Sequence, residues 1–86
     1  MKKLYPSVKF ADSKDLVKQV KHVLTEAAEV EFEMYNPNKL KLLMELCDLE
    51  HSAQTALEIA EKQGIDIDAI RAKVIEKNRK RGYYEG

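Results

Sequence analysis

Eighty-six residues with Lys+Arg and Asp+Glu balanced at 15 each make one small domain with a thin core, and no net charge that would draw nucleic acid or a membrane surface. Three glycines, two prolines and the lack of long β-branched runs point to an all-α chain, and no apolar run approaches the roughly 20 residues a membrane span needs. Met1-Lys2-Lys3-Leu4 lacks the apolar core of a signal peptide, and the single Cys47 excludes an internal disulfide and suits a reducing, cytoplasmic setting.

Residues 1–11 have no clear period, and Pro6 argues against a helix, so they read as an extended arm that packs through Tyr5, Val8 and Phe10. The first helix is expected over 12–35, with Asp12 as N-cap and Asp15 at the third helical position. Its apolar stripe is Leu16, Val20, Val23, Ala27, Val30 and Met34, and a polar stripe of His22, Glu26, Glu29 and Glu33 runs beside it. Tyr35-Asn36-Pro37-Asn38 reverses the chain. Asn36 and Pro37 read as N-cap and first residue of a second helix over 37–63, whose stripe is Leu42, Leu46, Leu49, Ala53, Ala56 and Ala60. Leu43, Cys47 and Leu57 widen that stripe, so Cys47 reads as a small core residue. Ser52, Ala53 and Ala56 would let a neighbouring helix come close. Gly64 ends the second helix as a left-handed cap, Asp66 caps a third over 67–81, and Gly82 stops it before a tail at 82–86. No repeat or low-complexity segment interrupts this single domain.

Two short acidic signatures lie on this hairpin, Glu26-Ala27-Ala28-Glu29 and Glu45-Leu46-Cys47-Asp48. On a helix, carboxylates three residues apart share a face one turn apart. Fifteen acidic residues give roughly two or three such pairs by chance, and the chain has four: Asp12/Asp15, Glu26/Glu29, Glu45/Asp48 and Glu58/Glu61. Spacing alone therefore proves little, and position adds the weight. Glu26/Glu29 and Glu45/Asp48 both border long apolar stripes, on helices that are antiparallel neighbours if the hairpin is tight. Like charges repel there more strongly than in open water, and a divalent cation would remove the repulsion. Oxygen-only ligands select Mg²⁺ or Mn²⁺ over zinc.

Glu26-x-x-Glu29, a medium spacer, Glu45-x-x-Asp48 and then Lys77-Asn78-Arg79-Lys80-Arg81-Gly82 after a third helix resemble the MazG-like, all-α nucleoside triphosphate pyrophosphohydrolases. That superfamily also contains the phosphoribosyl-ATP pyrophosphohydrolases and dimeric dUTPases. The likeness covers about residues 13 to 82 and rests on the order and spacing of motifs. It departs at Thr25, where the family commonly has the first of two adjacent glutamates. The resemblance implies cleavage of a nucleoside triphosphate between the α- and β-phosphates, giving a nucleoside monophosphate and pyrophosphate. It implies Mg²⁺ held by Glu26, Glu29, Glu45 and Asp48, with Glu26 or Glu29 positioning or deprotonating the water. It also implies Lys73, Lys77, Asn78 and Arg81 on the triphosphate, in this chain's site or its partner's. The implied assembly is a four-helix-bundle core formed by dimerisation, as a homodimer or homotetramer. A lone hairpin with a short third helix offers few contacts to hold four clustered carboxylates, and a second copy completes a four-helix core.

Blander readings stand beside these. Lys77 to Arg81 also suit the C-terminal dipole of a helix. His22 and His51 flank the acidic motifs without zinc-ligand spacing and read as polar border residues. Tyr83 and Tyr84 fit base stacking, a dimer contact or a loose tail. Two function classes stay open: a Mg²⁺-dependent pyrophosphohydrolase, and a non-catalytic helical dimer that acts as a scaffold or regulatory nucleotide binder. A nucleic-acid-binding role would rest on Lys77 to Arg81 alone, against a neutral net charge.

Overall fold

The computed structural model describes residues 1–9 and 15–86, and every regular element among them is a helix. They are α1 Leu16–Phe32, α2 Lys39–Lys62 and α3 Ile67–Lys80. The expected cap Asp12 and the arm residue Phe10 lie outside the described residues. Asp15 caps α1 instead of sitting in its first turn: its side chain accepts from Val17 N at 2.9 Å. At the other end α1 stops at Phe32, short of the expected 35, and tightens into turns closed by Met34 N→Glu31 O and Asn36 N→Glu33 O. Pro37 explains the early stop, because it disfavours helical backbone at Asn36.

The N-cap of α2 also shifts from its expected place. Asn38, not Asn36, caps α2 by accepting from Leu40 N at 3.1 Å. Asn36 shapes the preceding turn, accepting from Asn38 N and donating to Glu33. Later boundaries follow the sequence closely. Gly64 has φ +93°, with Gly64 N→Glu61 O and Ile65 N→Ala60 O closing a Schellman motif. Asp66 accepts from Ala69 N and starts α3.

α1 and α2 form an antiparallel hairpin whose register is pinned where Gln19 Nε2 donates to Ser52 O at 3.1 Å in the interior. The inner seam follows the expected apolar stripe on α2 and departs from it on α1. The less exposed residues of α1 and its C-cap are Leu16, Gln19, Val23, Glu26, Val30 and Glu33, and the matching row on α2 is Leu42, Glu45, Leu49, Ser52, Ala56 and Ile59. Half of the α1 stripe therefore faces inward, while Val20, Ala27 and Met34 face out; on α2 the stripe holds except at Leu46, which is exposed. Cys47, expected in the core, is exposed. The rotation has a local cause: the small Ser52 and Ala56 let α1 approach α2, and Gln19 bonds the backbone carbonyl there.

The buried apolar centre is small, made of Ala56, Ile59, Ala60 and Ile67. α3 packs on α2 and makes no contact with α1 among the described residues. The chain forms a slab with extents of 41 × 41 × 20 Å and a radius of gyration of 14.9 Å. A compact domain of this length has a radius near 12 Å.

Residues 4–8 lie along α2. Gln54, 5% exposed, accepts from Leu4 N and Tyr5 N and donates to Tyr5 O. Its amide also donates to Glu58, whose second carboxylate oxygen is buried without a partner. Tyr5 donates to Glu50 at 2.6 Å, which holds its phenol well above the usual range, and its ring stacks on His51 at 4.8 Å.

Candidate metal centre

The register set by Gln19 and Ser52 decides which acidic residues meet. Two turns along each helix from that pair, Glu26 on α1 comes opposite Glu45 on α2. Both occupy the inner seam. Glu29, one turn beyond Glu26, completes a triad in which one carboxylate oxygen of each residue lies within 4.8 Å of the other two. A hard cation bonding oxygen at about 2.1 Å spans oxygens roughly 3 to 4 Å apart.

The electrostatics are those of crowded carboxylates. Burial pushes the Glu26 carboxyl above its ordinary range; the Glu29 charge adds to this, and His22, 3.1 Å away, opposes it. Glu45 is raised by burial first, then by the neighbouring Glu29 carboxylate, then by the charges of Asp48 and Glu26. The second Glu45 oxygen is buried without a hydrogen-bond partner among the described residues. A buried carboxylate oxygen left bare is costly. Protonation relieves it, and so does a cation.

Asp48 stands beside the triad, close enough for its charge to raise both Glu26 and Glu45, but its carboxylate is not one of the three converging groups. The expected phosphate ligands are elsewhere in the chain. Lys73, Lys77 and Asn78 lie on α3 and Arg81 caps it, and α3 does not touch α1. Arg81 stacks its guanidinium over the Tyr83 ring at 4.6 Å. Within one protomer these basic residues do not line the triad.

Clefts open on both sides of the triad. Toward Glu29 and Glu45, about 350 Å³ is bordered by Thr25, Ala28 and Phe32, whose ring is 86% exposed. Toward Glu26 and Asp48, about 260 Å³ is bordered by His22, His51, Ser52, Thr55, Gln19 and Val8. The His22–Glu26 pair was legible as a four-residue spacing on one helix. The approach of Val8 and His51 was not, because it depends on how the arm docks. No family model, curated protein or solved structure matches the chain.

Proposed function

We propose that the chain is a Mg²⁺-dependent nucleoside triphosphate pyrophosphohydrolase that acts as a homodimer or higher homo-oligomer in the cytoplasm. Water adds across the α–β anhydride, giving a nucleoside monophosphate and pyrophosphate. The observation that carries the reading is the meeting of Glu26, Glu29 and Glu45 from two helices within 4.8 Å, with one buried Glu45 oxygen lacking a partner. That donor set is all oxygen and suits Mg²⁺ or Mn²⁺. Glu26, Glu29 and Glu45 would hold the metal, with Asp48 completing the set. Mg²⁺ bound there would neutralise charge on the phosphate oxygens. Glu26, oriented by His22 at 3.1 Å, is suited to align the water and accept its proton, with Glu29 as the second candidate.

Surface area supports the oligomer. The chain exposes 6827 Å², whereas a compact monomer of this mass exposes about 5200 Å². The excess, roughly 1600 Å² per protomer, matches the large interfaces of obligate dimers. Val17, Val20, Leu24, Phe32, Leu43, Met44 and Leu46 are all exposed on the hairpin and supply the apolar surface for a second helical layer. In such a dimer Lys73, Lys77, Asn78 and Arg81 of one protomer would serve the triad of the other.

The test is pyrophosphate release from a panel of nucleoside triphosphates with Mg²⁺ and with Mn²⁺, together with calorimetric metal titration of native protein and of the Glu29→Gln/Asp48→Asn double variant. Turnover and metal binding lost together in the variant support catalysis. The alternative is a non-catalytic dimer that binds nucleotide as a regulator or scaffold. Its specific support is the distance of the α3 cations from the triad within one protomer. Metal binding without turnover on any nucleotide would favour it.

A further inference from the structure

We propose that the cleft on the Glu26/Asp48 side of the triad is the subsite for the uncharged end of the substrate, the nucleoside, and that His51 is its specificity-determining residue, set in place by the N-terminal arm. The inference deepens the pyrophosphohydrolase reading and rests on it for the identity of the ligand.

Charge decides which end of a nucleotide enters. Among the described residues no Lys or Arg lines this cleft, and Glu26 and Asp48 close its triad side. With Mg²⁺ on the triad the phosphates are drawn to the metal, and deeper in the cleft no described side chain neutralises them, whereas a neutral group that donates hydrogen bonds is welcomed there. Size agrees. About 260 Å³ lies below the roughly 300–1,000 Å³ of sites that enclose a whole ligand. It admits one ring system, with the rest of the molecule left outside over the triad.

The wall is built rather than incidental. Ser52, 8% exposed, makes no hydrogen bond through its hydroxyl among the described residues, and it borders the cleft. Beside it Thr55, 3% exposed, spends its hydroxyl on His51 O at 3.1 Å, which leaves Ser52 as the uncommitted alcohol of the wall. His51 is held from outside the cleft. Its ring stacks on Tyr5 at 4.8 Å with 19° between planes, and Nε2 lies 3.2 Å from Pro6 O. A carbonyl only accepts, so Nε2 carries a proton, and in the neutral tautomer that this contact selects the lone pair lies on Nδ1. The arm is itself fastened by Gln54, which bonds both faces of the Leu4–Tyr5 backbone, and by Tyr5 on Glu50. Arm docking therefore fixes the tautomer of His51 as well as its tilt. With the Ser52 hydroxyl and, in that tautomer, His51 Nδ1 as acceptors away from the metal ligands, the matching ligand presents donors: ribose hydroxyls or an exocyclic amino group of the base.

The experiment is an NMR titration of the full-length, isotope-labelled protein in EDTA with uncharged nucleosides: adenosine, cytidine, uridine and their 2′-deoxy forms. At least one nucleoside is expected to shift Val8, His51 and Ser52 together. Loss of binding in the deoxy series identifies the ribose hydroxyls as the recognised donors, and loss only with uridine identifies the amino group. His51→Asn and the near-isosteric Ser52→Ala are each expected to weaken binding about tenfold, the value of one lost hydrogen bond, while the Mg²⁺ response of the triad is retained. Tyr5→Ala should weaken binding similarly and Tyr5→Phe, which keeps the stack, should restore it. A merely structural role for Tyr5 would not produce that rescue in a protein with unchanged helix content. If no nucleoside moves these resonances while Mg²⁺ still binds the triad, the subsite is overturned and the metal reading survives. If nucleosides bind and Mg²⁺ does not, the subsite stands and the catalytic reading falls.

Discussion

Glu45 carries the sharpest residue-level consequence, because it faces inward beside two other carboxyls with one oxygen unpartnered. Its folded-state proton affinity is raised, chiefly by burial, and that of Glu26 is raised for the same leading reason. The folded protein then keeps protons that the unfolded chain releases. Their stabilising contribution is complete below the ordinary glutamate range and is lost as pH rises through the raised folded values. Urea midpoints measured in EDTA should fall across that rise, and saturating Mg²⁺ should flatten the slope. An identical slope with and without metal would sink the triad as a cation site. Glu29→Gln removes one of the three carboxylates that converge there. It should cut turnover by roughly 10²–10³-fold, the usual cost of losing one electrostatic stabiliser, and abolish the Mg²⁺-induced rise in melting temperature.

Among the elements, the arm and the α2–α3 corner each depend on a single residue. Gln54 satisfies two backbone N–H groups and one carbonyl of the arm. Gln54→Ala leaves them to water or unpaired, and also strips Glu58 of the amide donor that serves its buried carboxylate. A loss of about 2 kcal/mol in chemical denaturation is expected, along with faster proteolysis within residues 1–9. At the corner, Gly64 holds φ +93° with nothing within 4 Å of where a Cβ would stand. Gly64→Ala therefore meets no clash, only the cost of a left-handed backbone, about 1 kcal/mol. A neutral result in thermal denaturation would mean that the corner adjusts without the Schellman closure.

At the scale of the molecule, three helices in a slab 20 Å thick leave one face of the hairpin uncovered. Phe32 is 86% exposed and borders the cleft beside Glu29 and Glu45, so the apolar face and the candidate metal centre adjoin. Sedimentation equilibrium should give at least a dimer, and melting temperature should rise with protein concentration. Phe32→Glu should shift the population to monomer and depress turnover with it, since the α3 cations then have no triad within reach. A native protein that sediments as a monomer at all concentrations would remove both the second helical layer and the shared site.

Much of this was written in local chemistry. The helical periods, the Gly64 and Asp66 signals, the reversal at Asn36–Asn38 and the spacing of Glu26, Glu29 and Glu45 are short-range features, so the sequence by itself determined three helices and a hairpin that carries its acidic residues on facing helices. Which face meets which is a long-range matter. Stripe counting put Val20, Ala27 and Cys47 inward, and the structure turned them out because Gln19 and Ser52 set the register and small residues govern how closely two helices approach. That rotation is also what brought Glu26 and Glu45 into the seam. Only the tertiary structure decided that Asp48 stands beside the triad, that α3 keeps its cations away from it within a protomer, and that Tyr5 reaches His51 across 46 residues of chain. Contacts of that kind have no period to read, since the chain between the two ends carries no information about where they meet.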